Sequence, residues 1–439
     1  MARLFLSFLG TNNYLPCIYY KGEKPLQSER IAVRFVQEAT IAHCCREWGN
    51  GDRIVIFTTQ ESYNKNWLDG GHGKADLIGL KSKIEELKLP PSVLVRNVFI
   101  PEGTSENDIW EIFNIVYNTI QEKDEVIFDI THAFRYIPML AIAILSYATV
   151  LKKIFISSIF YGAFEALGSL DKVKQMPVHD RLAPILDLSP IGELLEWTAA
   201  VDKLVSSGDP TRVSELARAG VKPLLKRSKG ADQAAEIIRK TANSLDAFCA
   251  VLFTCRGQKI ADAAMRLKQC LIDVEKADIL APFTPLFSII KDKIKTFQGD
   301  ALHDGVQAVR WCITHGLIQQ GFTILNEMMI SWVLRKTLGD TQDPILRQLP
   351  AQAASILNKN LIYRSNEWKP PASNHIDHIK LLIKFFEKNR SVVYLLERIK
   401  QFRNDINHAG FKENPINEKN FSAELKELQE QAAAVIGIF

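Results

Sequence analysis

Cysteine is scarce and never spaced for pairing or metal capture. The seven residues, Cys17, Cys44, Cys45, Cys249, Cys255, Cys270 and Cys312, are odd in number and contain no Cys-x-x-Cys. That argues against a disulfide framework and a zinc knuckle, and reads as reduced, mostly buried thiols. Long apolar runs are missing as well. The longest, Tyr136 to Leu151, is led by Arg135 and falls short of the roughly 20 residues that span a bilayer, so a buried helix is expected. The N-terminal run Leu4 to Leu9 is too short for a signal peptide and breaks at Gly10-Thr11-Asn12-Asn13, which makes a cytoplasmic protein the expectation. Neither sign of charge is in excess: 54 Lys and Arg face 50 Asp and Glu, a net +4, so any basic surface must be local. The glycines of a dinucleotide fingerprint do not follow Gly10, and Gly70-Gly71-His72-Gly73-Lys74-Ala75 has no Ser or Thr after its lysine and no strand directly before it, which disfavours a P-loop. His375 and His378 lie three apart without a nearby Cys, and no metal is assigned.

What is present falls into two halves of different period. At 439 residues the chain is too long for one ordinary core, and roughly two or three domains are the prior. In the first half, Leu4–Phe8, Arg53–Thr58, Ser92–Ile100, Glu125–Ile130 and Lys153–Phe160 are rich in Val, Ile and Phe, while Ser28–Trp48, Asp76–Leu87, Ser105–Gln121 and Phe134–Leu151 carry apolar residues at helical spacing. This alternation predicts βαβ crossovers and a mostly parallel, Rossmann-like sheet covered on both faces, with Pro184–Asp187 as a further edge strand. After Ser189-Pro190 the strand signals stop and helix follows helix. The expected organisation is a Rossmann-like α/β domain over residues 1–188 and an all-α region over 189–439.

A doubly wound sheet binds ligands beyond the carboxyl ends of its strands. After the first strand come Gly10, Thr11, Asn12, Asn13 and Tyr14, small and polar enough to hold phosphates or base edges. Asp129-Ile130-Thr131-His132-Ala133-Phe134-Arg135 follows the fourth, where an acid, a hydroxyl, an imidazole and a guanidinium converge at a strand-to-helix junction. Capping of the next helix accounts for Asp129 and Thr131 but not for His132 or Arg135, so both segments are candidate ligand-binding residues.

The helical region carries Arg403-Asn404-Asp405-Ile406-Asn407-His408, read as a polar interruption of an amphipathic helix. Cleavage of RNA at its own 2'-hydroxyl needs a group that moves protons and a cation that stabilises charge on phosphorus; histidine does the first and arginine the second. The spacing alone is weak, because Arg310 and His315 repeat it where an apolar pattern ends on a glycine, and there a C-terminal helix position is the better account. Around Arg403 the neighbours Asn404, Asp405 and Asn407 are poor helix-interior residues with no evident structural return. Lys380, Lys384, Arg398 and Lys400 lie on neighbouring helices and suit either RNA guidance or a solvated face.

The Gly10–Tyr14 loop, the Asp129–Arg135 segment and the Arg403, Asn404, His408 set, in an α/β-then-helical order, together resemble the CRISPR-associated CARF-HEPN effector ribonucleases, across essentially the whole chain. Ala133 stands where many relatives have glycine. The resemblance implies a homodimer, or a higher even-numbered oligomer, that binds a cyclic oligoadenylate across its two-fold axis. Cyclic tetra-adenylate is the expected ring and cyclic hexa-adenylate the alternative, since these residues do not fix ring size. It further implies a composite, metal-independent site for single-stranded RNA, with His408 as general acid/base, Arg403 as charge stabiliser and Asn404 as positioning group, leaving 2',3'-cyclic phosphate products in type III CRISPR defence. No cofactor other than the activator is implied. The rival reading is a non-catalytic sensor acting through a partner protein or DNA. Geometry favours a composite site: residues five apart on an ideal helix differ by about 140 degrees, so one chain does not easily crowd one phosphate with both groups.

Overall fold

The computed structural model describes residues 2–132, 136–276, 284–339, 342–362, 364–411 and 413–438. It divides into two compact units, Met1–Leu195 and Glu196–Phe439.

The first unit runs β1 (Arg3–Leu9), β2 (Ile18–Tyr20), α1 (Val36–Cys44), β3 (Arg53–Thr58), α2 (Gln60–Ser62), α3 (Leu80–Glu86), β4 (Leu94–Phe99), α4 (Glu106–Thr119), β5 (Glu125–Asp129), α5 (Ile137–Leu151), β6 (Phe155–Gly162), α6 (Leu170–Gln175), β7 (Leu182–Asp187) and α7 (Ser189–Ser207), which crosses the division. The strands form one sheet in the order β2-β7-β6-β5-β1-β3-β4. Every pairing is parallel except β6 with β7. Strand period sorts β1 between two cores: Leu4, Leu6 and Phe8 pack with Val116, Ile144 and Leu145 of α4 and α5, while Phe5 packs with Ile41 of α1 and Ile84 of α3. Burial on both faces explains why the central strands read as continuous apolar runs. From β1 the chain builds outward to β3 and β4 on one side and to β5 and β6 on the other. The β1/β5 carboxyl ends are therefore the topological switch point where a ligand crevice is expected.

Two expectations change here. The helix read over Ser28–Trp48 is confined to Val36–Cys44, because Cys17 and Val33 form a bridge and the Glu38 carboxylate accepts the backbone N–H groups of Arg34 (3.0 Å) and Phe35 (2.9 Å), fixing the helix start. The Pro184–Asp187 strand exists but is not an edge, since β2 pairs outside it. Ser105 caps α4, accepting the Asp108 N–H at 3.1 Å.

The second unit contains the remainder of α7 and then α8 (Thr211–Arg227), α9 (Gln233–Phe253), α10 (Ile260–Lys276), α11 (Thr284–Ile294), α12 (Ala301–Thr314), α13 (Ile318–Thr337), α14 (Leu349–Asn358), α15 (Ile376–Lys388), α16 (Arg390–Asn407) and α17 (Asn420–Ile436). One continuous apolar core joins them. Phe402 of α16 lies flat on Phe322 of α13, with centroids 5.3 Å apart and planes 9° from parallel, and meets Phe421 of α17 edge-on. No helix among the described residues is long and apolar enough to cross a membrane.

Candidate functional site

At the switch point the chain leaves β1 at Gly10 and folds Tyr14 back over it. A Cβ at Gly10 would lie 2.4 Å from the Tyr14 hydroxyl oxygen, so any larger residue would force the Tyr14 ring to move. Asn66, wholly buried in a π turn after α2, pins the loop by donating through Nδ2 to the carbonyls of Gly10 and Asn12, both at 2.9 Å. Its Oδ1 accepts from Arg34 Nη2 at 2.8 Å, which brings a guanidinium to the rim of the same loop. Burial lowers the Arg34 pKa, opposed by Glu38 and Tyr14.

The Tyr14 ring stacks on His132, with centroids 4.1 Å apart and planes at 29°. The two rings form one wall of a cleft of about 240 Å³, also lined by Thr11, Asn12, Thr59 and Thr131. Desolvation pushes the His132 pKa down to about 3, and its Nε2 has no hydrogen-bond partner among the described residues. The imidazole is therefore neutral in ordinary conditions and offers a ligand a hydrogen bond, not a charge.

Asp129 sits at the end of β5 with no exposure and turns toward α1 instead of the cleft. It accepts from Thr131 N (3.0 Å), Thr131 Oγ1 (2.6 Å) and Thr40 Oγ1 (2.8 Å). Burial raises its carboxyl pKa against those bonds. Thr131 Oγ1 in turn accepts from Gly162 N at 2.7 Å. This chain fixes the turn that presents His132, and neither Asp129 nor Thr131 caps α5, whose N-cap residue is Tyr136. Asn13 is exposed and does not line the cleft. Arg135 lies outside the described residues. Sequence reasoning missed Arg34, Thr59 and Asn66. Thr59 directly follows β3 and was open to the same strand-end rule; Asn66 had no local signal.

In the helical unit, α16 continues through Asn407 and His408 is its C-cap, φ −95° and ψ 11°, with its N–H donating to Asn404 O at 2.9 Å. The polar stretch is thus the helix's last turn, not an interruption within it. Asp405 also has a structural return: buried at 4% exposure, its carboxylate accepts the Ile416 N–H at 3.1 Å. With Phe402 and Asp405 turned inward, Arg403 and Asn404 are half-buried and His408 is exposed. Arg403 Nη1 lies 3.9 Å from Glu327 Oε1 of α13. Asn404 and His408 are four apart and share a face. His375 and His378 stack on each other at 5.7 Å, and among the described residues no three His, Cys, Asp or Glu side chains group as metal ligands.

Comparison with known proteins bears on the first unit. Residues 4–165 match the family model described as CRISPR system endoribonuclease Csx1, CARF domain. The N-terminal unit carries a CARF domain. The CARF match ends before the helical unit begins. Over 120 residues, 27% of this chain, the sequence is 30% identical to the CRISPR-associated protein MJ1674 of Methanocaldococcus jannaschii, and the match spans 17% of that protein's length. Among solved structures, Enterococcus italicus Csm6 bound to cyclic hexa-2'-fluoro-hexa-dAMP superposes over 99% of this chain and 94% of its own, with 12% identity and a TM-score of 0.44.

Proposed function

We propose that this protein is a cyclic oligoadenylate-activated endoribonuclease of type III CRISPR defence that cleaves single-stranded RNA without a metal. The observation that carries the reading is the joint one: a CARF domain with a formed polar cleft, in a chain whose helical unit exposes His408 at the end of the helix that carries half-buried Arg403. In the cleft, Thr11, Asn12 and neutral His132 meet the ring's bases and riboses, while Arg34 and Arg135 supply the charge its phosphates require.

A ring of even number has a two-fold axis, and so does a dimer that presents the same loop twice. The outer faces of α4 and α5 expose Trp110 (65%), Met139 (75%) and Val150 (64%), a partner surface for a second copy. In cleavage, His408 of one copy takes the proton from the 2'-oxygen as that oxygen attacks phosphorus, and the P–O5' bond breaks. The same histidine of the second copy protonates the departing 5'-oxygen, leaving a 2',3'-cyclic phosphate and a 5'-hydroxyl. Arg403 stabilises the charge gained at phosphorus, and Asn404 orients the phosphate. Phe411, three residues beyond His408 and 90% exposed, offers a ring on which a flanking base stacks. The activator favours the arrangement in which the two copies are correctly spaced.

The test mixes the purified protein, a fluorogenic RNA, EDTA and each cyclic oligoadenylate in turn. Cleavage with one ring, at either four or six units, supports the reading and fixes the activator; no cleavage with any ring leaves a non-catalytic sensor.

A further inference from the structure

A cavity in the helical unit, with no residue of the catalytic set in its lining, belongs to none of the roles assigned so far. It encloses about 350 Å³ between the turn joining α9 to α10, the start of α12 and the middle of α13. That is within the range of small-molecule sites and enough for one nucleotide. Its floor is apolar, from Ile260, Leu302 and Met328, and its mouth is basic, from Arg256 and Lys259. Both cations are exposed, and neither has an anionic partner among the described residues. Gln258 and Gln342 clasp each other through their amides beside them.

Glu327 is the only acidic residue among the described residues of the wall, and its charge is already committed. Oε2 accepts from Arg347 Nη2 at 2.9 Å and Oε1 from Asn326 Nδ2 at 3.1 Å. The same Oε1 stands 3.9 Å from Arg403 Nη1. One carboxylate therefore joins the cavity wall to the arginine assigned to the scissile phosphate. With Glu327 matched by Arg347, Arg256 and Lys259 leave the mouth positive over an apolar floor, the division of character that a nucleotide has between phosphate and base.

We propose that this cavity seats an RNA nucleotide flanking the scissile phosphate, with Arg256 and Lys259 holding its phosphodiester and the floor of Ile260, Leu302 and Met328 receiving its base. The seat rests on the ribonuclease reading and adds to it a second RNA contact outside the catalytic set.

Two measurements on the full chain with activator test it. Binding of a fluorescent 2'-O-methyl RNA, which lacks the attacking hydroxyl, is followed by anisotropy across a salt series for the parent and for Arg256→Glu with Lys259→Glu. Affinity is expected to fall at least about tenfold, and the slope of log affinity against log salt to shrink by about 0.7, the contribution of one single-strand phosphate contact. Activator half-saturation should not move. Separately, 4-thiouridine RNA irradiated on the unaltered protein should cross-link the segment from Cys255 to Ile260, a readout that survives any misfolding of the double variant. Unchanged affinity and slope in a folded double variant, or cross-links that map only elsewhere, overturn the seat while cleavage by the parent keeps the ribonuclease reading. A parent that neither binds nor cleaves RNA overturns both.

Discussion

Two helices of the helical unit end in the same way and have opposite surroundings. Helix α12 carries Arg310 and closes on His315 as C-cap, φ −103° and ψ 11°; α16 carries Arg403 and closes on His408, φ −95° and ψ 11°. Spacing and backbone are therefore shared, and neither separates a reactive pair from a structural one. His315 is 9% exposed, stands edge-on to Trp311 at 4.4 Å, and has no hydrogen-bond partner on either ring nitrogen among the described residues. Burial lowers its pKa, aided by Lys293. Its arginine, Arg310, points the other way, into solvent. In the second pair the exposures are exchanged: the histidine is open and the arginine is half-covered beside Glu327. A proton-transfer group must reach substrate and a charge stabiliser must be held in place, and only the second pair meets both conditions.

The largest effect that could break this comparison is at the histidines. His408→Ala is expected to lower RNA cleavage by about 100-fold to 10,000-fold, the range for a general acid/base, while the thermal midpoint and activator affinity stay close to parent. His315→Ala should do the reverse, costing about 1–3 kcal/mol of stability with cleavage per folded molecule kept. Exchange of these outcomes, read by initial rates and thermal melts on both variants, would transfer the catalytic role to His315. Next in size is Arg403→Ala, for which loss of one preorganised charge donor lowers the rate by about 100-fold or more. Arg310→Ala should leave the rate unchanged, and an equal loss in both would reduce arginine to a general charge effect.

The same contrast shows what the sequence could and could not convey. Continuous apolar runs announced β1, β3 and β5 because both faces of those strands are buried, and they also located the strand ends that form the cleft. Helix α8 is poorly signalled by its sequence because Gly220 and Pro223 sit inside it, weakening the helical pattern that packing nonetheless sustains. Strand position says where the Asp129 side chain emerges but not that Thr40, from another element, donates to it and holds it away from the cleft. Asn66 is 56 residues from the Gly10 carbonyl it holds, and no local spacing encodes such a contact. At α16, composition flagged Asn404 and Asp405 as misplaced, whereas they end the helix and bind the following loop.

A smaller effect sharpens the contrast around His408. Phe411 is 90% exposed near the open histidine, and Phe411→Ala should raise KM for RNA by about tenfold with kcat little changed, as removal of one base-stacking ring predicts. A change in kcat without KM would instead place Phe411 in assembly of the two copies.

The smallest expected effect concerns His132, half-buried in the N-terminal unit with its Nε2 enclosed. Its folded pKa of about 3 lies below its ordinary value of 6.5, so between those limits the unfolded chain binds the extra proton and the folded chain does not. The sign follows: this group's contribution to stability is full above about pH 6.5 and is lost progressively as pH falls toward 3. Asp129, raised by burial, acts in the opposite direction as its folded form takes up a proton first. Comparing parent with His132→Phe cancels that opposing contribution, since Asp129 is present in both. The parent's thermal midpoint should therefore fall more steeply than the variant's between about pH 6.5 and 5. Parallel curves, or a parent His132 ring resonance that titrates near neutrality, would show that the imidazole is not held neutral against Tyr14, and the cleft would then offer the activator a positive charge where we assign a hydrogen bond.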